Sequence, residues 1–240
     1  MDIEDAVVIV TGASSGIGAA TARAAAAAGA RVVLAARRED RAAALAAELD
    51  RAVAVRCDVT DAAQVAALVA AALAAFGRID VVVNNAGQGL HVPVEALALD
   101  DLRAVLELNL VAPLAVMQAV IPVMRRQGGG SIVNISSGTT LGAAPSTGGY
   151  VASKIALERL SAVAREELAE DGIVVSTLLP FATRTEFISS LRSGADDAER
   201  GMADVDFDGP ERVAEAVLDL VRSGAERADL VPAEYGGTRS

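Results

Sequence analysis

Six short runs of β-branched and aliphatic residues recur along the chain, at 6–12, 30–36, 52–58, 79–85, 130–136 and 172–179. Each is apolar without alternation, as in AVVIVTG and IDVVVNN. A strand with one wet face alternates and a strand covered on both faces does not, so these runs predict a buried parallel sheet. Longer alanine- and leucine-rich segments between them read as helices near 17–28, 39–49, 61–76, 100–126 and 151–171. Each strand–helix–strand unit spans about 25 to 45 residues, the size of a crossover that returns a parallel strand. A last helix near 210–222 precedes a short strand at ADLVP. No linker divides the chain, and the alanine tract at 24–28 stops at Gly29 as a helix stops. The pattern predicts an α/β fold in one doubly wound domain over 1–240, with a parallel sheet of about seven strands and helices on both faces.

Composition narrows the function classes. Hydrophobic residues make up 52% of the chain and aromatics only 2%, so the core must be built from Val, Leu, Ile and Ala. The formal net charge is −11 without a long basic run, which argues against nucleic acid and against an anionic membrane surface. One cysteine, Cys57, and one histidine, His91, leave neither a disulfide nor a Cys/His metal cluster to build. Cys57 reads as a small core residue; His91 reads as a loop residue or a pocket lining, the loop being favoured. No 18 apolar residues run uninterrupted, and the acidic start is unlike a signal peptide, so a soluble cytoplasmic protein is expected.

The chemistry begins where the first strand meets TGASSGIG. Gly12, Gly16 and Gly18, with Ser14, Ser15 and Ile17 between them, form a glycine-rich strand-to-helix turn. Such a turn lets backbone N–H groups approach a pyrophosphate at a helix N-terminus. At the end of the second strand an NAD site wants a carboxylate for the ribose 2′-hydroxyl; here Ala36 is followed by Arg37 and Arg38. A guanidinium there can fork onto a 2′-phosphate, which favours NADP(H) with NAD(H) still possible; a solvated charge pair is the bland alternative. Further on, Tyr150 and Lys154 stand four residues apart at the start of a helix, on one face and within reach of each other.

Together these motifs resemble the short-chain dehydrogenase/reductase family over about residues 6–187, and in particular its NADP-dependent 3-hydroxy acid dehydrogenase and carbonyl reductase members. TGASSGIG matches its cofactor turn, NNAG its central-strand motif (Asn85, Ala86, Gly87), and CDV its adenine-side pair Asp58 and Val59. The resemblance implies a Rossmann domain and a catalytic set of Asn109, Ser137, Tyr150 and Lys154. Tyr150 would pass a proton to or from a substrate oxygen, and Ser137 would hydrogen-bond that oxygen. Lys154 would tune the phenol and bind the nicotinamide ribose. Pro113 has no N–H for the Asn109 carbonyl four residues earlier, which frees that carbonyl to hold a relay water, as in the family. Pro180 and Thr185 match the cofactor-binding segment after the sixth strand, but Phe181 replaces a usual glycine and is expected to narrow the pocket.

The implied activity is ketone–secondary alcohol interconversion. A 3-oxoacyl-carrier-protein reductase and a non-catalytic NADP-binding regulatory protein are the alternatives. Family members commonly pair through the helices here at 100–126 and 151–171, so a homodimer or homotetramer is expected. Residues 181–209 read as a substrate lid, with Phe181, Phe187, Ile188, Leu191 and Met202 as its apolar inner face. Its acidic residues Asp196, Asp197, Glu199, Asp204, Asp206 and Asp208 would repel an acidic carrier protein, despite the interspersed Arg184, Arg192 and Arg200. The expected substrate is therefore a small free ketone or hydroxy acid; a lid unrelated to specificity is the competing reading.

Overall fold

The computed structural model describes residues 1–202 and 205–239. Seven parallel strands form one sheet in the order β3-β2-β1-β4-β5-β6-β7. They are β1 Val7–Thr11, β2 Arg31–Ala36, β3 Ala52–Arg56, β4 Val81–Asn84, β5 Gly130–Ile135, β6 Ile173–Leu179 and β7 Arg227–Asp229. Every residue of β1 is buried, which is why no alternation marks it. Val8 and Val10 point to one face and Val7 and Ile9 to the other, each into its own hydrophobic cluster.

Helices α1 (Gly16–Ala27), α2 (Glu39–Ala47) and α8 (Pro210–Ser223) cover the first face. Alanine serves α1 well, because Ala22 and Ala25 let it lie close against the Val213, Val217 and Val221 stripe of α8. The opposite face carries α3 (Ala62–Phe76), α5 (Ala112–Gln127) and α6 (Gly148–Leu168). Helix α3 starts at Asp61, whose carboxylate accepts from the Ala63 and Gln64 N–H groups at 2.8 and 3.2 Å, and stops at Gly77 with φ of 76°. Each fully buried Val or Leu in these stripes contributes about 1.5–3 kcal/mol relative to exposure.

Three elements differ from the sequence pattern. The helix expected over 100–126 is α4 (Leu99–Leu106), a π-helical turn over Glu107–Val111, and then α5. The cause is local: Pro113 cannot donate to the Asn109 carbonyl, and the Ala112 N–H reaches back five residues to Glu107. A short helix, α7 (Ala195–Gly201), lies inside 181–209, where the sequence pattern predicts none. Strand β7 pairs at Arg227–Asp229, two residues of the expected ADLVP strand, and the chain then turns away.

The run Leu99–Gln127 is long and apolar enough to cross a membrane by length and composition. In this fold its stripe of Val116, Met117, Val120, Val123 and Met124 lies against the sheet.

Candidate active site

Strand order reverses between β1 and β4, and the loops that leave their carboxyl ends open a crevice there. Thr11 ties the two together. Its Oγ1 accepts from the Asn85 and Ala86 N–H groups at 3.0 and 3.1 Å, while Asn85 Nδ2 donates to the Thr11 carbonyl at 2.9 Å. The glycine turn fits against this seam. A methyl group on Gly18 would run into the Gly12 carbonyl and stand 2.6 Å from Asn85 Nδ2, so only glycine lets α1 begin here. Gly16, with φ of 52°, brings the backbone against the Thr185 side chain.

Ser15 occupies the N-cap of α1, but its hydroxyl oxygen accepts from Arg38, and among the described residues no side chain caps the first N–H groups. Open backbone donors at a helix start, reached through a turn without side-chain bulk, fit a dinucleotide pyrophosphate. Ile17 packs on the core below. At the edge of the cradle, Arg38 donates to Ser14 Oγ at 3.1 Å, to Ser15 Oγ at 2.6 Å and to Glu186 Oε2 at 2.7 Å. Arg37 is exposed at the end of β2, and its charge acts on Asp58. Burial opposes ionisation of Asp58, yet the Thr60 hydroxyl and N–H, with Arg37, hold its carboxyl below the ordinary range. Val59 is buried beside it.

Tyr150 lies in the first turn of α6, with Lys154 one turn on, and both are buried. Burial pushes the phenol up to about 12, and the Ser137 hydroxyl beside it acts in the opposite sense. Burial pulls the Lys154 ammonium down to about 8, against the raising effect of Glu158. The ammonium lies 5.9 Å from the Tyr150 ring centre and donates to the Ile135 carbonyl at 2.8 Å. Ser137 caps a turn at the end of β5, accepting from Thr139 N–H at 3.2 Å. Gly87 completes the wall, since a methyl group there would stand 3.2 Å from Asn109 Oδ1 and 3.4 Å from Lys154 Nζ.

Asn109 is fully buried and its side chain is already spent. It accepts from Gln88 N–H at 3.0 Å and donates to the Gln88 carbonyl at 2.9 Å and to Ser153 Oγ at 3.0 Å. Ser153 in turn donates to the Tyr150 carbonyl at 2.6 Å. The amide thus fastens the β4 loop to the first turn of α6, and any relay water must use the backbone carbonyl at the π turn.

The segment expected as a lid packs on this side. Phe187 tilts against the Tyr150 ring with centres 5.6 Å apart, in a cluster with Leu90, Leu97 and Val105. Leu191 packs against Gly89, and Ile188 and Met202 are half-buried. Asp101 anchors the segment, accepting from Arg192 at 2.7 Å and Ser193 at 2.6 Å. The Phe181 ring lies against Tyr235, centres 5.1 Å apart, and 5.6 Å from the Arg239 guanidinium. Of the acidic run, Asp208 pairs with Arg239 at 2.6 Å and Asp197 pairs with Arg200, while Asp204 lies outside the described residues. His91 belongs to the loop, its N–H bonded to the Ser193 carbonyl at 3.0 Å. Pro180 accepts from Gly138 N–H at 2.8 Å, and Thr185 Oγ1 from Phe187 N–H at 3.1 Å.

Thr11, Gln88, Asp101, Ser153 and Glu186 take part without having been singled out in the sequence. Only Thr11 carried a signal there, as the first residue of the glycine motif. A groove of about 780 Å³ also runs between α1 and α8 beside Arg184–Glu186; Ser15 and Gly16 of the cradle line it and Tyr150 does not.

The sequence profile of the family described as short chain dehydrogenase matches residues 6–196. D-threitol dehydrogenase of Mycolicibacterium smegmatis is 37% identical over 238 residues, covering 95% of this chain and 92% of that protein. A short chain dehydrogenase/reductase from Burkholderia phymatum, solved in complex with NAD, has a TM-score of 0.91 at 27% identity, covering 98% of this chain and 92% of that one. The 3-ketoacyl-(acyl-carrier-protein) reductase of Brucella melitensis, complexed with NADH, has a TM-score of 0.86 at 28% identity, covering 95% and 97%. The chain belongs to the short-chain dehydrogenase/reductase family and is a nicotinamide-dependent oxidoreductase acting on CH–OH groups.

Proposed function

We propose that the protein interconverts a small free ketone or hydroxy acid and its redox partner with NADP(H), using Tyr150 as the general acid and base. The observation that carries this reading is the buried Tyr150–Lys154 pair beside Ser137, at the carboxyl end of a sheet whose cradle is edged by arginine. The nicotinamide, when bound, supplies or accepts the hydride. Gly12 to Gly18, Asn85 to Gly87, Pro180 and Thr185 would hold the dinucleotide, Asp58 and Val59 its adenine side, and Arg37 and Arg38 the 2′-phosphate.

In reduction Tyr150 gives its proton to the carbonyl oxygen, which Ser137 holds by a hydrogen bond as charge grows on it. At about 12 the phenol is almost wholly protonated at neutral pH, and a Lys154 cation 5.9 Å from its ring centre would favour the phenolate that alcohol oxidation needs. With its own value about 8, Lys154 is mostly protonated at pH 7, so it can replace the proton lost by Tyr150 and recover one from a water held on the Asn109 carbonyl. Phe187 walls the substrate side of Tyr150 and favours compact substrates.

The 37% identical relative is named for a free polyol, which suits a free substrate. The ketoacyl-carrier reductase remains the second reading, favoured by the overall likeness of fold. A non-catalytic binding protein would have no use for the intact catalytic set. Exposed Val111, Ile155 and Val163 on the π turn and α6 support pairing of two copies through this face. The deciding experiment is oxidation of NADPH and of NADH over a panel of ketones, tetrulose sugars, 3-oxo acids and oxoacyl thioesters. At least tenfold higher kcat/KM with NADPH, about 1.4 kcal/mol, supports the cofactor reading. Equal use of both refutes it, and much higher kcat/KM on a carrier-bound acyl group than on the same group on a small thiol refutes the substrate reading.

A further inference from the structure

Glu186 follows Thr185 at the start of the lid and reaches across to two guanidinium groups on another part of the chain. Its Oε2 accepts from Arg38 at 2.7 Å, its Oε1 from Arg41 at 2.8 Å, and Arg41 also reaches Oε2 at 3.2 Å. Arg38 is held from behind by Ser14 and Ser15, so its Nη1 is the donor turned to the lid. Arg38, Arg41 and Glu186 are all exposed, where the pairs can exchange with an incoming anion. Hydrogen bonds from Arg38 and Arg41 hold the Glu186 carboxyl down at about 2, so it is a full anion throughout the neutral range.

We propose that Glu186 is a built-in stand-in for the cofactor phosphate: it latches the lid onto Arg38 and Arg41, and a 2′-phosphate must displace it to bind there. The inference rests on the reading of Arg38 as a 2′-phosphate ligand. A phosphate brings nearly two charges and three acceptor oxygens to guanidiniums that now share one carboxylate. NADP(H) then releases the lid on its Glu186 side while Asp101 keeps hold of Arg192 and Ser193. NAD(H) leaves the latch closed. Glu186 is thus a specificity-determining residue that lowers the preference for NADP(H) below what the arginines alone would give, and it couples cofactor identity to lid mobility.

Calorimetric titration with adenosine 2′,5′-bisphosphate and with 5′-AMP isolates the 2′-phosphate, and amide hydrogen exchange over 186–191 reports the lid. In Glu186→Gln the bisphosphate-to-AMP affinity ratio is expected to rise at least fivefold, with AMP affinity changed less than twofold. In the wild type the bisphosphate, and not AMP, should speed exchange over 186–191, and in Glu186→Gln exchange should be fast before any ligand is added. An unchanged or lowered ratio in the variant overturns the proposal, as does lid exchange that ignores both the substitution and the bisphosphate. The cofactor reading fails separately, if the wild type shows no bisphosphate preference and Arg38→Leu leaves the ratio where it was.

Discussion

Replacing Lys154 by methionine keeps most of the side-chain volume and removes the charge, so the two proteins should separate in a defined pH window. In the folded, cofactor-free protein burial holds the ammonium at about 8, against its ordinary 10.5. Between those values the unfolded chain binds more protons than the folded one, so stability rises with pH. Below about pH 8 the folded state carries the whole cost of a buried cation. The fall from 10.5 to about 8 corresponds to about 3 kcal/mol, of which about 2–3 kcal/mol is regained between pH 7 and 10. For a chain of this size that is roughly 5–10 °C in Tm. Methionine also loses the bond to the Ile135 carbonyl, but that offset does not vary with pH. Urea unfolding of both proteins at pH 7, 8, 9 and 10 gives wild-type minus variant stability, which should climb by about 2–3 kcal/mol. Tyr150, raised from 10 to about 12, acts in the opposite sense above pH 10, which is why the window ends there. A flat difference would mean that Lys154 is solvated in the folded protein, and a solvated ammonium could not act strongly on Tyr150.

Tyr150→Phe should abolish most turnover while calorimetry finds dinucleotide affinity nearly unchanged; a variant with a large share of wild-type kcat removes Tyr150 as the proton donor. Gly18→Ala drives a methyl group into the Gly12 carbonyl and Asn85, so thermal unfolding should show a loss of about 1–3 kcal/mol. The same variant should lose dinucleotide affinity, and wild-type stability and binding together would show that the helix start has room. Pro113→Ala returns an N–H that can capture the Asn109 carbonyl in place of a relay water. Slower turnover with unchanged far-UV circular dichroism is expected, and an unaltered rate and solvent isotope effect would count against that relay.

The layered fold and the cradle were legible because their causes are local. Parallel strands covered on both faces write themselves as unbroken Val and Ile runs, and a turn without side-chain bulk writes itself as glycine. Helix α7 left no such trace: among its seven residues only Ala198 is buried, so there is no apolar stripe to read. Pro113 announced that a bond would be missing, but not that the chain would widen into a π turn to place the gap. The partners of Phe181, Tyr235 and Arg239, could not be read because they lie in the far C-terminal segment and nothing near residue 181 names them. Glu186 was silent for the same reason, since the two arginines it holds are 148 and 145 residues away.

The contact of Phe181 with the C-terminal segment bears on how such enzymes are recombined. Its ring rests on Tyr235 and under Arg239, Arg239 also grips Asp208 at the return of the lid, and Thr183 bridges to Asp208. The two stems of the lid and the last turn of the chain therefore form one joint. A chimera that imports a relative's lid between 181 and 209 to change substrate range would leave Tyr235 and Arg239 facing a foreign stem. Exchange of 181–209 together with 233–239 keeps the joint whole, so the portable cassette in this enzyme is made of two separated segments.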